Sequence, residues 1–217
     1  MPNRNMSASE TLTNKPESFT FQLEKLSEEE ALIVMVASLC HDFGKATSTE
    51  YKANKQGDMA WRAHEHSEAG VEPAKSFLGR MMFGNGLNDK IAPLIREHLF
   101  PSQNPEASEA SVRRLSHRLA PATIQELVMV GESDQKGRAL PWHGYPEGAA
   151  LLATAAKLGI KEGQPERILM GRHLIEMGMK PGPGFKKILD QVFEAQLEGT
   201  IRNLEEAKTM ARELVKS

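Results

Sequence analysis

The feature that most constrains the fold is an apolar run, ALIVMVASLC at residues 31–40, which ends directly at His41 and Asp42. Just ahead of this run, Ser27 is followed three residues later by Glu30, the sequence signature of a capping box. The pattern predicts a buried helix that continues to about Asp42. We therefore expect His41 and Asp42 in the last turn of that helix, at the edge of a hydrophobic core.

The rest of the chain also has helical patterns. No stretch shows a sustained period-two alternation, and the apolar residues recur at helical spacing between joints that contain Pro or Gly. The predicted fold class is all-α, a helical bundle with a C-terminal helical extension, and the polar residues 46–61 are predicted to form a loop. Further helices are predicted at about residues 66–80, 90–99, 106–119, 121–130, 146–158, 166–178, 183–198 and 203–215.

Composition suggests three segments and a cellular location. We expect a flexible lead-in at residues 1–22, a first domain at 23–140 and a C-terminal helical segment at 141–217. A single cysteine fits a reducing compartment, and no apolar stretch approaches the roughly 20 residues that span a bilayer. The chain is thus expected to be cytoplasmic, without a membrane partner. Because its formal charge is −2, any contact with RNA needs a local basic patch.

Histidines and acidic residues cluster in the first half of the chain, where His41, His64, His66 and His98 lie beside acidic residues or other histidines. Imidazoles and carboxylates are the ligands of metal ions that hydrolyse phosphate esters. Successive helical residues diverge by about 100°, so His41 and Asp42 reach one ion only if it lies at the helix end. The alternative is a plain helix end, with a histidine favourable to the helix dipole and a solvated aspartate.

Four ordered segments, ASLCHDFGK, HEHSEAGVEPAKSFL, IREHLF and VGESDQKGRAL, resemble the HD domain of bacterial CCA-adding tRNA nucleotidyltransferases. The resemblance continues through the C-terminal helices and covers about residues 30–217. It implies a metal-dependent phosphohydrolase acting on 2′,3′-cyclic or terminal phosphates of nucleotides or tRNA ends, with a divalent ion (Ni, Co, Mn or Mg) as cofactor. The metal ligands that it implies are His41, Asp42, His66 or His64, His98 and Asp134.

The resemblance also gives roles to two cations, because Lys45 and Arg138 would stabilise charge on the phosphate oxygens.

The chain departs from the family in two respects. It contains no Asp-x-Asp pair of the kind that the family's nucleotidyltransferase head carries, so nucleotide addition by this chain is not expected. HD domains also carry a histidine ahead of the HD pair, whereas none precedes His41. The site has then lost a ligand, is completed by another residue such as His64, or is defunct.

A second anion site is predicted in the segment GMKPGPGFKK. Pro183 suits the first turn of a helix, whose free amides would lie beside Lys180, Lys186 and Lys187. A backbone phosphate of tRNA fits this arrangement, and solvated lysines at a helix joint are the alternative. Two functions therefore remain: a stand-alone HD phosphohydrolase, or a non-catalytic tRNA-binding body. As a tRNA-binding body, the chain would be a fragment of a CCA-adding enzyme or would work with a separate nucleotidyltransferase head subunit.

Overall fold

A computed structural model of the protein describes residues 25–54, 56–81, 85–138 and 141–216. Within these ranges the chain forms twelve α-helices and one two-stranded hairpin, which confirms the predicted all-α class. None of the helices in the described part combines the length and apolarity that crossing a membrane requires. The lead-in predicted for residues 1–22 lies outside the described residues.

The helices are joined mostly by short turns, and the hairpin stands between the second and third helices. Its strands are β1 (Thr49–Ala53) and β2 (Met59–Ala63). The helices are α1 (Glu28–Cys40), α2 (Lys45–Ser48), α3 (His66–Ala69), α4 (Val71–Arg80), α5 (Asn85–Glu97), α6 (Phe100–Gln103), α7 (Glu109–Leu119), α8 (Ile124–Gly137), α9 (Pro146–Lys157), α10 (Gly171–Glu176), α11 (Pro183–Glu198) and α12 (Leu204–Lys216).

Helix α1 begins at the predicted capping box. The Ser27 hydroxyl accepts a hydrogen bond from the Glu30 amide at 3.2 Å, and the Glu30 carboxylate accepts one from the Ser27 amide at 2.9 Å. The predicted end was wrong by two residues, because the Phe43 amide donates to the Cys40 carbonyl at 3.0 Å and tightens the chain into a turn. His41 is therefore the C-cap, and Asp42 lies in the turn that follows.

Two separate clusters of buried apolar side chains hold the helices together. The first runs from Ile33 to Ile160, with α1 packed against α5 and α8, and the second runs from Leu169 to Ala211. Helix α9 belongs to the first cluster although it lies beyond residue 140, and the domain division at 140 stays a prediction. Helices α7 and α11 contact each other across the two clusters.

The hairpin occupies a stretch for which the sequence predicts a loop, and that prediction was wrong for the two strands. The side-chain oxygen of Asn54 accepts hydrogen bonds from the amides of Gln56 at 2.9 Å and Asp58 at 2.7 Å, which closes the turn. Tyr51 faces Trp61 across the strands, with 5.2 Å between ring centroids. Such a cross-strand aromatic pair stabilises a hairpin too short to show a period-two pattern.

Helix α8 positions an acidic residue of the candidate site. The sequence predicts its end near residue 130, but the helix continues to Gly137 and carries Asp134 in its last turns. A capping box of Thr123 and Glu126 fixes its start. Because α8 packs against α1, Asp134 lies beside the end of α1.

Candidate metal centre

Five side chains assigned to a metal site from the sequence meet at one end of the bundle. His41 and Asp42 follow α1, and His66 is the first residue of α3. His98 follows the last residue of α5, and Asp134 lies on α8. The packing of α1 against α5 and α8, and of α3 against α5, brings these distant positions together.

The ligand atoms of this cluster have the spacing that a shared ion requires. His41 Nε2 lies 3.2 Å from Asp42 Oδ2 and 3.5 Å from Asp134 Oδ1. His66 Nε2 lies 3.4 Å from Asp42 Oδ1 and 3.3 Å from His98 Nε2. Atoms that each lie about 2.1 Å from one ion, at tetrahedral or octahedral angles, are themselves about 3.0–3.4 Å apart. Three of these residues, His41, Asp42 and His98, each offer one ligand atom within 4.8 Å of the other two, and this trio fits a single metal ion. His66 and Asp134 border the trio.

Each of the three imidazoles is held in the tautomer that metal binding needs. A carbonyl oxygen can only accept, so an Nδ1 atom bonded to one carries the proton, and the lone pair of the neutral ring is on Nε2. A backbone anchor on Nδ1 also fixes the ring orientation. The three anchors are His41 Nδ1 to Ser38 O (2.7 Å), His66 Nδ1 to Ala63 O (2.8 Å) and His98 Nδ1 to Ile95 O (2.7 Å).

Burial and neighbouring charges set the protonation states of two residues in the cluster, His98 and Asp42. His98 is 6% exposed, and this burial lowers its pKa to about 4, which keeps the ring neutral near pH 7. Burial opposes ionisation of Asp42, but the hydrogen bond from Lys45 and the charges of His41 and Lys45 outweigh it and lower the Asp42 pKa. A neutral imidazole and an ionised carboxylate are the ligand forms that a divalent cation binds.

The two cations assigned catalytic roles from the sequence flank the cluster. The Lys45 ammonium donates to Asp42 Oδ2 at 2.6 Å, and the Arg138 guanidinium donates to Asp134 Oδ2 at 2.6 Å. Both side chains are 51% exposed, so each also faces solvent. Their placement beside the two carboxylates is compatible with contact to a phosphate, and their catalytic role stays a prediction.

The structure separates the two histidines that the sequence left as alternatives. His66 is 9% exposed and contacts His98 and Asp42. His64 lies in the turn between β2 and α3 and is exposed to a greater degree than His66. His66 is the first residue of α3 and faces the cluster, whereas His64, two positions earlier, lies in the turn ahead of the helix. The residue types alone do not reveal this difference.

The site requires a glycine at position 44, and the sequence alone did not reveal this requirement. A Cβ atom on Gly44 would lie 2.6 Å from the Gly70 amide nitrogen and would overlap the carbonyl of His66. The glycine therefore allows the turn after the HD pair to pack directly against α3, the helix that begins with His66. In the sequence, the signal is a glycine two residues after Asp42.

Two spaces border the cluster. One is a small cavity of about 20 Å³ lined by His41, His98, Asp134 and Arg138, with room for about one water molecule. The other is an open cleft of about 600 Å³ beside Asp42. The walls of this cleft are formed by Phe43, Ala46, Pro73, Ser76, Phe77 and Arg80.

This helical fold with a His/Asp cluster at the end of α1 defines a class of protein, and comparison with known families agrees. The HD domain family matches residues 9–130, which is more than half of the chain. The chain therefore belongs to the HD domain family. HD domains form a superfamily of metal-dependent phosphohydrolases.

A particular relative extends the likeness beyond the domain. The chain is 27% identical over 193 residues to the CC-adding tRNA nucleotidyltransferase of Thermus thermophilus. The match covers 88% of this chain but 42% of that protein, so the chain spans less than half of the relative's length. No solved structure matches the chain. The resemblance seen in the sequence is thus confirmed.

Proposed function

We propose that the protein is a metal-dependent phosphohydrolase that acts on phosphate esters of nucleotides or of RNA ends. One observation carries the proposal: three imidazole Nε2 atoms and two carboxylates converge, and each imidazole is fixed through its Nδ1 atom. Membership of the HD domain family supports the reaction class.

The residues of the cluster fit a divalent cation. Mixed imidazole and carboxylate ligands suit Mn, Co or Ni better than Mg, which prefers oxygen ligands alone. When bound, such an ion polarises a phosphoryl oxygen and lowers the pKa of a coordinated water. The ligands would be His41, His66, His98, Asp42 and Asp134.

The side chains around the cluster would orient the phosphate ester. Lys45 and Arg138 hold the two carboxylates in place and, being half exposed, can also donate hydrogen bonds to phosphate oxygens. The small cavity beside His41 and Asp134 has room for about one water molecule, which could serve as the attacking water. These groups position the reactants before the bond to phosphorus breaks.

The cleft beside Asp42 favours a nucleotide over inorganic phosphate. Its volume of about 600 Å³ lies within the roughly 300–1,000 Å³ of small-molecule sites. Phe43 and Phe77 offer apolar surface to a base or ribose, and Arg80 at the rim offers a cation. A 2′,3′-cyclic nucleotide is therefore the first substrate to test.

The experiment is hydrolysis of a 2′,3′-cyclic nucleotide by the purified protein with Mn²⁺, Co²⁺ or Ni²⁺, and again after chelation. We expect turnover that stops on chelation and that Asp42→Ala abolishes, with the helical circular-dichroism spectrum retained. Asp89→Ala, which removes a carboxylate on α5 away from the cluster, is the matched control and should be active. Activity that survives chelation, or that Asp42→Ala leaves unchanged, would contradict the proposal.

A second candidate function, a tRNA-binding body, is favoured by a separate observation. Lys180, Lys186 and Lys187 are all exposed around the start of α11, whose N-cap, Gly182, offers no side-chain cap to the first amides. The relative that acts on tRNA matches most of this chain. Binding and hydrolysis are separable, since these lysines and the metal cluster lie in different parts of the sequence.

A further inference from the structure

The hairpin presents exposed aromatic side chains on one face. Tyr51 is 53% exposed, Trp61 71% and Met59 50%. Tyr51 pairs directly with Trp61, and Met59 pairs with Ala53, so alternation along the strands places all of them on the same side. Apolar groups of this size rarely gather on a surface without a binding role.

This aromatic face is tied to the metal centre through the backbone. Strand β2 ends at Ala63, whose carbonyl accepts the hydrogen bond from His66 Nδ1 at 2.8 Å. Thr49 and Ala63 form the base of the hairpin, and Tyr51 and Trp61 lie two residues further along. At about 3.3 Å per residue, the aromatic pair is roughly 7 Å from the base. A few nucleotides of an unpaired strand cover the distance from the cluster to this pair.

Hydrogen bonds within the turn and between the strands hold the hairpin together. The backbone amide of Asn54 donates a hydrogen bond to the Asp58 carbonyl at 2.8 Å. The side-chain oxygen of Asn54 accepts hydrogen bonds from two backbone amides of the turn. Gly57 adopts the positive φ of 93° that the turn contains. The strands pair in register along their full length. A surface fixed in this way loses little conformational entropy when a ligand binds.

The hairpin carries a small net positive charge, on the face opposite its aromatic side chains. Residues 49–63 contain three basic and two acidic residues, in a chain of net charge −2. Glu50 is paired with Lys52. The Nε atom of Arg62 is buried without a hydrogen-bond partner among the described residues. Because successive strand residues alternate, Lys52 and Arg62 lie on the face opposite Tyr51 and Trp61. The aromatic face therefore offers base stacking, which every base can make through its π-face.

We propose that Tyr51 and Trp61 stack unpaired bases of an RNA strand whose terminal phosphate lies at the metal centre. The inference rests on the proposed function and narrows its substrate class, from nucleotides in general to single-stranded RNA ends. A purely structural role, in which the two rings only stabilise the hairpin, does not need Trp61 to remain 71% exposed.

Binding is measured first, without metal, so that the result is independent of turnover. In a Trp142→Phe background, Trp61 is the one remaining tryptophan, and a short oligouridylate is titrated while its fluorescence is recorded. We expect quenching. In parallel, filter binding of the labelled oligouridylate should show that Trp61→Ala weakens affinity roughly ten-fold or more. The conservative Trp61→Phe, which keeps a stacking ring, should stay within about three-fold of wild type.

Turnover then separates stacking from a structural effect. We expect Trp61→Ala to lower kcat/KM roughly ten-fold for an oligoribonucleotide ending in a 2′,3′-cyclic phosphate. The value for the 2′,3′-cyclic mononucleotide, which does not reach the hairpin, should change less than about two-fold. An equal loss on both substrates would mean that Trp61 only supports the fold near His66, and would overturn the inference.

Three further outcomes decide between the stacking surface, the proposed function and self-association. Oligouridylate binding through Trp61 with no hydrolysis of any phosphodiester would support the stacking surface while the proposed function fails. Undiminished oligouridylate binding by Trp61→Ala would overturn the stacking surface and leave the phosphohydrolase intact. A dimer seen by sedimentation that Trp61→Ala dissolves, with no oligouridylate binding, would overturn the inference and assign the aromatic face to self-association instead.

Discussion

The Nε2 atoms of His66 and His98 face each other at 3.3 Å, while both rings donate their Nδ1 protons to backbone carbonyls. In the neutral rings both Nε2 atoms carry lone pairs, and two lone pairs at this distance repel. A cation between them removes the repulsion and gains two ligands. Asp42 Oδ1, 3.4 Å from His66 Nε2, adds negative charge beside the same point, so this pair of imidazoles is electrostatically prepared for a metal ion.

Substitution of Gly44 tests how the turn that follows His41 and Asp42 positions His66. Gly44→Ala would place a Cβ atom against the backbone of His66 and Gly70, which cannot move as a flexible side chain would. We expect a loss of at least about 2 kcal/mol in the free energy of unfolding, measured by urea denaturation, because the two segments must separate. Metal affinity should fall as well, since His66 would move away from His98.

The matched control for this prediction is Gly79→Ala. Gly79 lies in α4, and a Cβ atom there has no neighbour within 4 Å among the described residues. Alanine should stabilise the helix by roughly 0.5–1 kcal/mol, because it restricts the unfolded chain. Equal stability of the Gly44 and Gly79 variants would show that the tight contact at Gly44 is not needed.

Cys40 should behave as a core residue and not as a nucleophile. Its side chain is 0% exposed in the first apolar cluster, and burial raises the pKa of its thiol to about 11. We expect iodoacetamide at mildly alkaline pH to leave the native protein unlabelled by mass spectrometry and to label it fully in urea. Rapid labelling of the folded protein would contradict the burial of this helix end.

The lysines at the start of α11 test the RNA-binding alternative. Changing Lys180, Lys186 and Lys187 together to alanine should weaken tRNA binding at low salt. Each lost phosphate contact removes about 0.7–0.9 from the slope of log K against log salt, so the slope should flatten by roughly 2–3. Gel-shift titration at several salt concentrations measures both quantities.

A control with the same change in net charge uses lysines that are already paired. These are Lys75, Lys157 and Lys208, which lie beside Glu72, Glu109 and Glu205. Their replacement should leave the slope nearly unchanged. If both triple variants bind tRNA as the wild type does, or if the wild type does not bind at low salt, the tRNA-binding body is excluded.

The sequence predicted the class of fold because that class depends on local signals, and the same kind of signal led to the candidate site residues. The capping box at Ser27 fixes the start of α1, and the histidines and aspartates are distinctive ligand types in a recognisable order. Their convergence was expected on that basis. The ligand assignments themselves stay predictions until metal binding is measured.

The features that escaped prediction depend on contacts between distant parts of the chain. The hairpin is held by the Asn54 turn and by the pairing of Tyr51 with Trp61, in strands too short for a periodic pattern. Gly44 is required because α3 approaches it, a contact that no local pattern encodes. For the same reason, the sequence left the choice between His64 and His66 open.

The most direct test of the metal centre compares these two histidines by isothermal titration of Co²⁺ into chelator-treated protein. We expect one strong site per chain in the wild type and in His64→Ala, because His64 lies in the turn ahead of α3 and outside the cluster. His66→Ala should weaken binding at least about ten-fold, since it removes an imidazole whose Nε2 atom lies 3.3 Å from His98 Nε2. An unchanged site in His66→Ala, or no site in the wild type, would contradict a metal centre that includes His66.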